Sequence, residues 1–359
     1  MFNGSRLRLA RCRSKLTQRQ LAQAAGLSSV SVNLYESRSQ EPESDNLQRL
    51  ASILNYPVDF FYGDDLDEAL EGMASFRSLS GMLAREKHAA LAASSLGFVL
   101  SDWLESMFEL PNVDTFRFGN ESPEVAARAL RQRWGLGERP ISNMVHLLEA
   151  KGFRVFSLSE DTRNVDAFSL WRRDKPFLFL NTKKTAEHSR FDAAHELGHL
   201  VIHRHGAPSG RPAEAEANAF ASSFLMPESD VRAELPRVYS LDQLVKAKVR
   251  WRVSVAALNH RLHKIGVTTS WQYRTFCIQL SERGRDYEPQ SVPRELSTVW
   301  QRVLAELRSD KLTKHDIAKR AGIPLHEFEQ LVFGLATMFS IDGEGALKKP
   351  RKPGQLRLV

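Results

Sequence analysis

The 359 residues are too many for one small core, so two or three domains are expected; the 42% hydrophobic and 26% charged content is that of an ordinary soluble protein. The net charge of +7 is a modest excess that favours anionic partners such as nucleic acid. Two cysteines far apart, Cys12 and Cys277, argue against a disulfide framework and fit a reducing cytoplasm.

In chain order, the pattern predicts a protein that is mainly α with a small β-sheet. Residues 4–62 read as short helices. Thr17 can cap one of them, answered by Gln20 as in a capping box. Gly26 ends that helix and Ser28 caps the next. Past Pro42, Leu47, Leu50 and Leu54 recur at helical spacing. The acidic "GDDLDE" at 63–68 marks a domain edge, so residues 1–65 form the first domain and residues 66–119 a helical linker region, with 69–108 helical. "AALAASSLGFVL" (89–100) is shorter than the ~18 residues of a membrane-helix candidate and reads as a buried helix; "MFNGSRLRLARCRSK" has no apolar leader core. No membrane partner is expected.

Two helices are predicted within 123–150, split around "GLGERP". "FRVFSL" (153–158), "AFSLW" (167–171) and "PFLFLN" (176–181) have strand composition, with "RRDK" as a hairpin turn. Helices follow at about 188–204 and 212–225, and "MPES" closes this central domain, 120–235. Residues 236–345 form a helical C-terminal region. Within it 241–264 read as helical, 271–281 as a strand, 293–334 as helix, and 250–280 as a winged-helix-like element. The basic tail 346–359 reads as disordered.

In "AHELGHL" His195 and His199 are four apart, so a helix places both imidazoles on one face and within reach of a single metal. Glu196 is adjacent and can act as general base without being a ligand. In "PAEAEANAFASSFLMP" Glu214 and Asn218 share a helical face. Glu214 would complete a His2Glu set and leave a fourth position open, and Asn218 could hydrogen-bond a ligand from behind. Glu216 is the less favoured alternative ligand. His203 and His205 read as structural or surface residues. Zinc is the default ion for such a set, and manganese is compatible with the same donors.

The run "VDAFSLWRRDKPFLFLNTKKTAEHSRFDAAHELGHLVIHRH", with "EAEANAFASSFLMP" after it, resembles the ImmA/IrrE metallopeptidase family over about residues 120–265. The resemblance implies a small zincin-like domain with His195, His199 and Glu214 as ligands and Glu196 as base. It also implies a helix-turn-helix repressor or antitoxin as substrate, and a role in stress response, mobile-element transfer or defence. A substrate strand is expected along an exposed edge, at Ala167–Trp171 or Phe177–Leu180.

"LTQRQLAQAAGLSSVSVNLYESRSQEP" resembles the helix-turn-helix of XRE/Cro-type regulators, over residues 4–62. The resemblance implies double-stranded DNA as a partner. Val32 and Tyr35 face inward. Ser29, Val30 and Asn33 face out to read bases, while Gln18, Arg19 and Arg38 hold phosphates. Arg38 stands where the family has glycine, so a positive φ there would be strained. The recognition helix has few basic residues, so useful affinity calls for a homodimer. A second stretch, "KLTKHDIAKRAGI" (311–323), repeats "KLTQRQLAQAAGL" (15–27) at an offset of 296. The "PLHEFEQLVFGL" after it lacks the small polar residues of the first copy, which suits packing or partner binding more than DNA contact. The combined expectation is a DNA-binding zinc metallo-endopeptidase that regulates transcription. The alternative is a transcription regulator whose metallopeptidase domain senses a metal or ligand without cutting.

Overall fold

The computed structural model describes residues 1–69, 83–116, 118, 121–158, 167–203, 210–284, 288–336 and 354–355. His205, and the basic tail 346–359 apart from residues 354–355, lie outside them. The chain divides into two compact units. One gathers the described residues of 1–110, 299–336 and 354–355; the other gathers those from Pro111 to Thr298. The metal-motif unit is therefore inserted between two parts of the other. Among the described residues no helix is long and apolar enough to cross a membrane.

The first unit begins with α1 (Gly4–Arg13), α2 (Gln18–Ala25), α3 (Ser29–Glu36) and α4 (Ser44–Leu54), then a 3-10 turn at Val58–Tyr62. Local chemistry sets the boundaries. Asn3 caps α1, and Thr17 and Gln20 form a reciprocal capping box on α2. Gly26 stops α2 at φ 65° and Ser28 caps α3. Leu7, Leu21, Val32, Leu50 and Phe61 close the core. Helix α5 (Ala84–Met107) buries small residues, among them Ala89, Ala90, Ala93 and Ser94, and packs on α1.

The second unit carries α6 (Pro123–Arg133) and α7 (Met144–Ala150), then β1 (Arg154–Leu158), β2 (Ala167–Arg172) and β3 (Lys175–Asn181). The sheet order is β1-β3-β2, with β1 parallel and β2 antiparallel to β3. Strand β3 is central, which corrects the expectation that Phe177–Leu180 could offer a free edge: its backbone groups pair on both sides. Phe156, Phe168, Phe177 and Phe179 stack across the sheet, the closest ring centroids 4.9 Å apart. The sheet supports α8 (Ala186–Ile202), which packs against α9 (Arg211–Leu225). The unit continues through α10 (Glu228–Glu234), α11 (Leu241–Trp251), α12 (Val255–Lys264) and α13 (Ser270–Glu282).

Helix α13 overturns the predicted strand at 271–281 and, with it, the winged-helix reading of 250–280, which holds helices and no strand among the described residues. Thr269 and Gln272 form a capping box that starts the helix, and Phe276 is its one buried residue. β-Propensity is expressed against partner strands; here the local cap wins. Residues 291–297 are irregular rather than helical. The rest of the C-terminal region supplies α14 (Thr298–Ser309), α15 (Lys314–Ala321) and α16 (Leu325–Val332).

Candidate metal centre and reading helix

Helix α8 is fixed at several points before it presents any chemistry. Arg190, 2% exposed, donates to the Trp251 and Ile141 carbonyls and pairs with Glu295. Glu187 accepts from the fully buried Lys248 at 3.0 Å and from the Val292 backbone N–H at 2.9 Å. Buried charges of this kind persist when paired and hydrogen-bonded. They hold the first turn of α8 and the loop 288–297 together.

Two turns on, His195 Nε2 and His199 Nε2 lie 3.1 Å apart. Glu214 reaches across from α9, with one carboxylate oxygen 3.3 Å from His195 Nε2 and the other 3.4 Å from His199 Nε2. One donor atom from each of these three residues falls within 4.8 Å of the other two. The approach of the helices is permitted by Gly198: a Cβ there would lie 3.1 Å from Phe220 Cδ1 and 3.3 Å from Ala217 Cα. The outer nitrogens are engaged as well. His195 Nδ1 is 3.0 Å from Asn218 Oδ1. His199 Nδ1 is 3.0 Å from His203 Nδ1, whose Nε2 is 2.8 Å from a Glu216 carboxylate oxygen. One tautomer set satisfies all three contacts, with Nδ1–H on His195 and His199 and Nε2–H on His203. That set makes both Nε2 atoms lone-pair donors for an ion; with no ion held, a proton on Nε2 donates to Glu214 instead.

Burial works to raise the Glu214 carboxyl, but the bonds to His195 and His199 outweigh it and hold the group well below the usual carboxylate range. Burial works to lower His195; the bond to Glu214, with the charges of Glu196 and Asp192, raises it overall. Two nitrogen donors and an ionised oxygen donor suit a divalent first-row ion. Glu216, the alternative ligand, is turned to His203 instead. Glu196 is 2% exposed and accepts a hydrogen bond from the Ser169 hydroxyl on β2 at 2.6 Å. Ser169 and the His203–Glu216 chain were missed as site residues. The i,i+4 step from His199 to His203 was a usable signal; no local signal marks Ser169. Beside the centre lies a cleft of about 1350 Å³ whose walls include Asn181, His188, Asp192, Asn218 and His260. Burial pushes the Asp192 carboxyl up to about 6.

In the first unit Val32 and Tyr35 are buried, while Arg19, Ser29, Val30 and Asn33 are exposed on one side. Gln18 Nε2 donates to Glu36 at 2.7 Å and to Asn33 Oδ1 at 3.3 Å, and Arg11 holds both oxygens of Glu36. Arg38 sits at φ 60°. That conformation costs a non-glycine residue about 1 kcal/mol. Its guanidinium donates to Asn3 Oδ1 at 3.0 Å and Ser5 Oγ at 3.1 Å and pairs with Asp65. These bonds stabilise the turn and occupy the group expected to hold phosphate.

Comparison with known proteins follows the same division. Residues 148–263 match the IrrE N-terminal-like domain of the Peptidase_M78 family, and residues 7–61 match a helix-turn-helix family. Over 61 residues, 17% of this chain, the sequence is 34% identical to an uncharacterized HTH-type transcriptional regulator of Sinorhizobium medicae (strain WSM419). It is equally similar to one of Rhizobium meliloti (strain 1021). The chain spans 44% of the length of these relatives. The crystal structure of Bacillus thuringiensis PlcR in complex with the peptide PapR7 and DNA aligns over 91% of this chain and 95% of its own, at 14% identity. The TM-score of 0.17 is too low to bear on the fold. Residues 7–61 of this chain therefore form a domain of the helix-turn-helix family, and residues 148–263 one of the IrrE N-terminal-like peptidase family.

Proposed function

We propose that this chain is a DNA-binding zinc metallo-endopeptidase that regulates transcription by cutting a helix-turn-helix repressor or antitoxin. The observation that carries the reading is the convergence of His195, His199 and Glu214, with Glu196 on the same helix. When bound there, zinc, or manganese in its place, would act as a Lewis acid toward a peptide carbonyl and activate water. The chain's own residues supply the rest. Asn218 and His203 orient the imidazoles, Glu216 fixes His203, and Ser169 holds one oxygen of Glu196. The Glu196 carboxylate takes the proton from the attacking water and returns it to the leaving amine. Strand β2 stands at one end of the described sheet order and carries Ser169 beside Glu196, so a substrate strand is placed along Ala167–Trp171.

Arg19, Ser29, Val30 and Asn33, with Gln18 behind them, face the DNA in this reading. The curated relatives support it through their helix-turn-helix regions alone. The regulator in trans would be a cytoplasmic protein brought to the same operator or paired with this chain's first unit. The test incubates the purified zinc-loaded protein with the helix-turn-helix repressor encoded nearest its gene, beside Glu196→Gln. Site-specific cleavage by the wild type and none by the variant at equal metal content is expected. Equal cleavage by both would reject Glu196 as base. Metal binding and DNA binding with no cleavage of any candidate would move the function to a metal-sensing regulator.

A further inference from the structure

The repeated sequence is also a repeat of structure. Helices α2 and α3 span 18–25 and 29–36; α15 and α16 span 314–321 and 325–332, each displaced by 296. Thr17 caps α2 through a capping box with Gln20, and Thr313 caps α15 through one with Asp316. Lys15 and Lys311 precede these caps at φ 57° and 59°, and Gly26 and Gly322 follow the helices at 65° and 71°. One side-chain link is also kept in altered form. Gln18 reaches Asn33 in the first copy; their counterparts Lys314 and Glu329 form an ion pair at 2.5 Å.

The two copies differ in what α3 and its counterpart face. In α3, Val30 is 65% exposed and the reading side is open. In α16 the matching surface is turned onto the first copy. His326, counterpart of Val30, meets the Tyr56 ring edge-on at 5.3 Å. Glu327, counterpart of Ser31, accepts from Tyr56 Oη at 2.6 Å and receives Arg13 Nε at 3.0 Å on both oxygens. Gln330, counterpart of Leu34, accepts from Arg13 at 2.7 Å. Arg13 also donates to the Ala89 carbonyl of α5. All of these partners belong to the first unit, and Glu327 is 2% exposed. Phe328, Leu331 and Val332 of the same helix are buried.

We propose that the C-terminal copy is a resident partner of the N-terminal one, clasping it through its own reading-helix surface, so that each chain presents one DNA-reading helix and does not pair with a second chain through the Arg13–Tyr56 face. The helix-turn-helix unit is then discontinuous, completed only by residues 299–336 after the peptidase domain. Ser29, Val30 and Asn33 of α3 stay exposed with the clasp in place, so the clasp supports reading without covering them. The DNA part rests on the DNA-binding reading above; the clasp itself does not.

The test uses the full chain. In Glu327→Ala, Arg13 is left buried without its carboxylate, a change that typically disfavours the packed state by more than a hundredfold. Amide exchange in α1 and α14–α16 should quicken at least tenfold, while α8 and α9 keep their protection. Duplex DNA affinity, read by fluorescence anisotropy on a mixed-sequence duplex at low salt, should fall at least about tenfold although no reading residue is changed. The double variant Arg13→Met/Glu327→Leu, which removes both charges, should restore both. If Glu327→Ala does not fold, repair by the double variant supports the clasp and failure to repair opposes it. Unchanged α1 exchange in Glu327→Ala overturns the proposal. So does sedimentation showing a wild-type dimer whose α1 protection is lost on dilution, because the face would then belong to a second chain. A wild type that binds no duplex but shows the expected exchange pattern rejects the DNA reading and leaves the clasp standing.

Discussion

Replacing Gly198 with valine tests whether the spacing of α8 and α9 sets the metal centre. The glycine lies inside the H-E-x-x-H turn, and a Cβ added there would lie 3.1 Å from Phe220 Cδ1 and 3.3 Å from both Ala217 Cα and Phe220 Cβ. Alanine meets one such contact set, which its better helix propensity, worth about 1 kcal/mol over glycine, largely offsets. Valine adds two more methyl groups against the Ala217 backbone and the fully buried Phe220, which cannot swing away. Overpacking of this kind costs about 1–3 kcal/mol. For a unit of this size that corresponds to a melting-temperature drop of roughly 3–10 °C. The relief available is for α9 to move outward, which carries Glu214 away from His195 and His199. Ligand distances tolerate only about 0.2 Å, so zinc affinity should fall by at least about tenfold. Thermal unfolding and a chelator-competition titration read the two effects. Gly198→Val with wild-type melting and wild-type zinc affinity would refute the argument that this close approach builds the site.

Removing the second imidazole of the His199–His203–Glu216 chain, in His203→Ala, should weaken metal binding about 10–100-fold while leaving three ligand residues in place; an unchanged chelator titration would deny His203 an orienting role. The Glu327 carboxyl is held down to about 2 by Arg13, with bonds from His326, Arg13 and Tyr56, against the opposing effect of burial. Because the folded pKa is depressed, its contribution is present above the unfolded value near 4.5 and fades as pH falls from there towards 2. Acid unfolding followed through α1 should move to higher pH, with less cooperativity, in Arg13→Met; an identical acid midpoint would contradict this. On DNA, Arg19→Ala should weaken binding to all duplexes alike and lower the salt slope by about one, whereas Asn33→Ala should chiefly relax sequence preference; anisotropy titrations at several salt concentrations separate the two.

Where chemistry is local, the sequence alone determined this protein. Thr17 with Gln20, Gly26, Ser28 and the Leu47–Leu50–Leu54 spacing specify helix ends and faces through interactions spanning three or four residues. His195, Glu196 and His199 share a turn, so their association follows from helix geometry. Other features depended on contacts between distant segments. Which strand is central follows from the pairing of β3 with both β1 and β2, not from strand composition. The β-rich composition of 271–281 gave way to a helix because its cap at Thr269 is local and a partner strand is not. Glu214 meets the histidines only because Gly198 lets two helices approach. Ser169 reaches Glu196 only because β2 lies under α8. The fate of the second copy was likewise tertiary. Its caps were legible at an offset of 296, but whether its reading surface faced solvent or protein depended on Arg13 and Tyr56, hundreds of residues away, closing on Glu327.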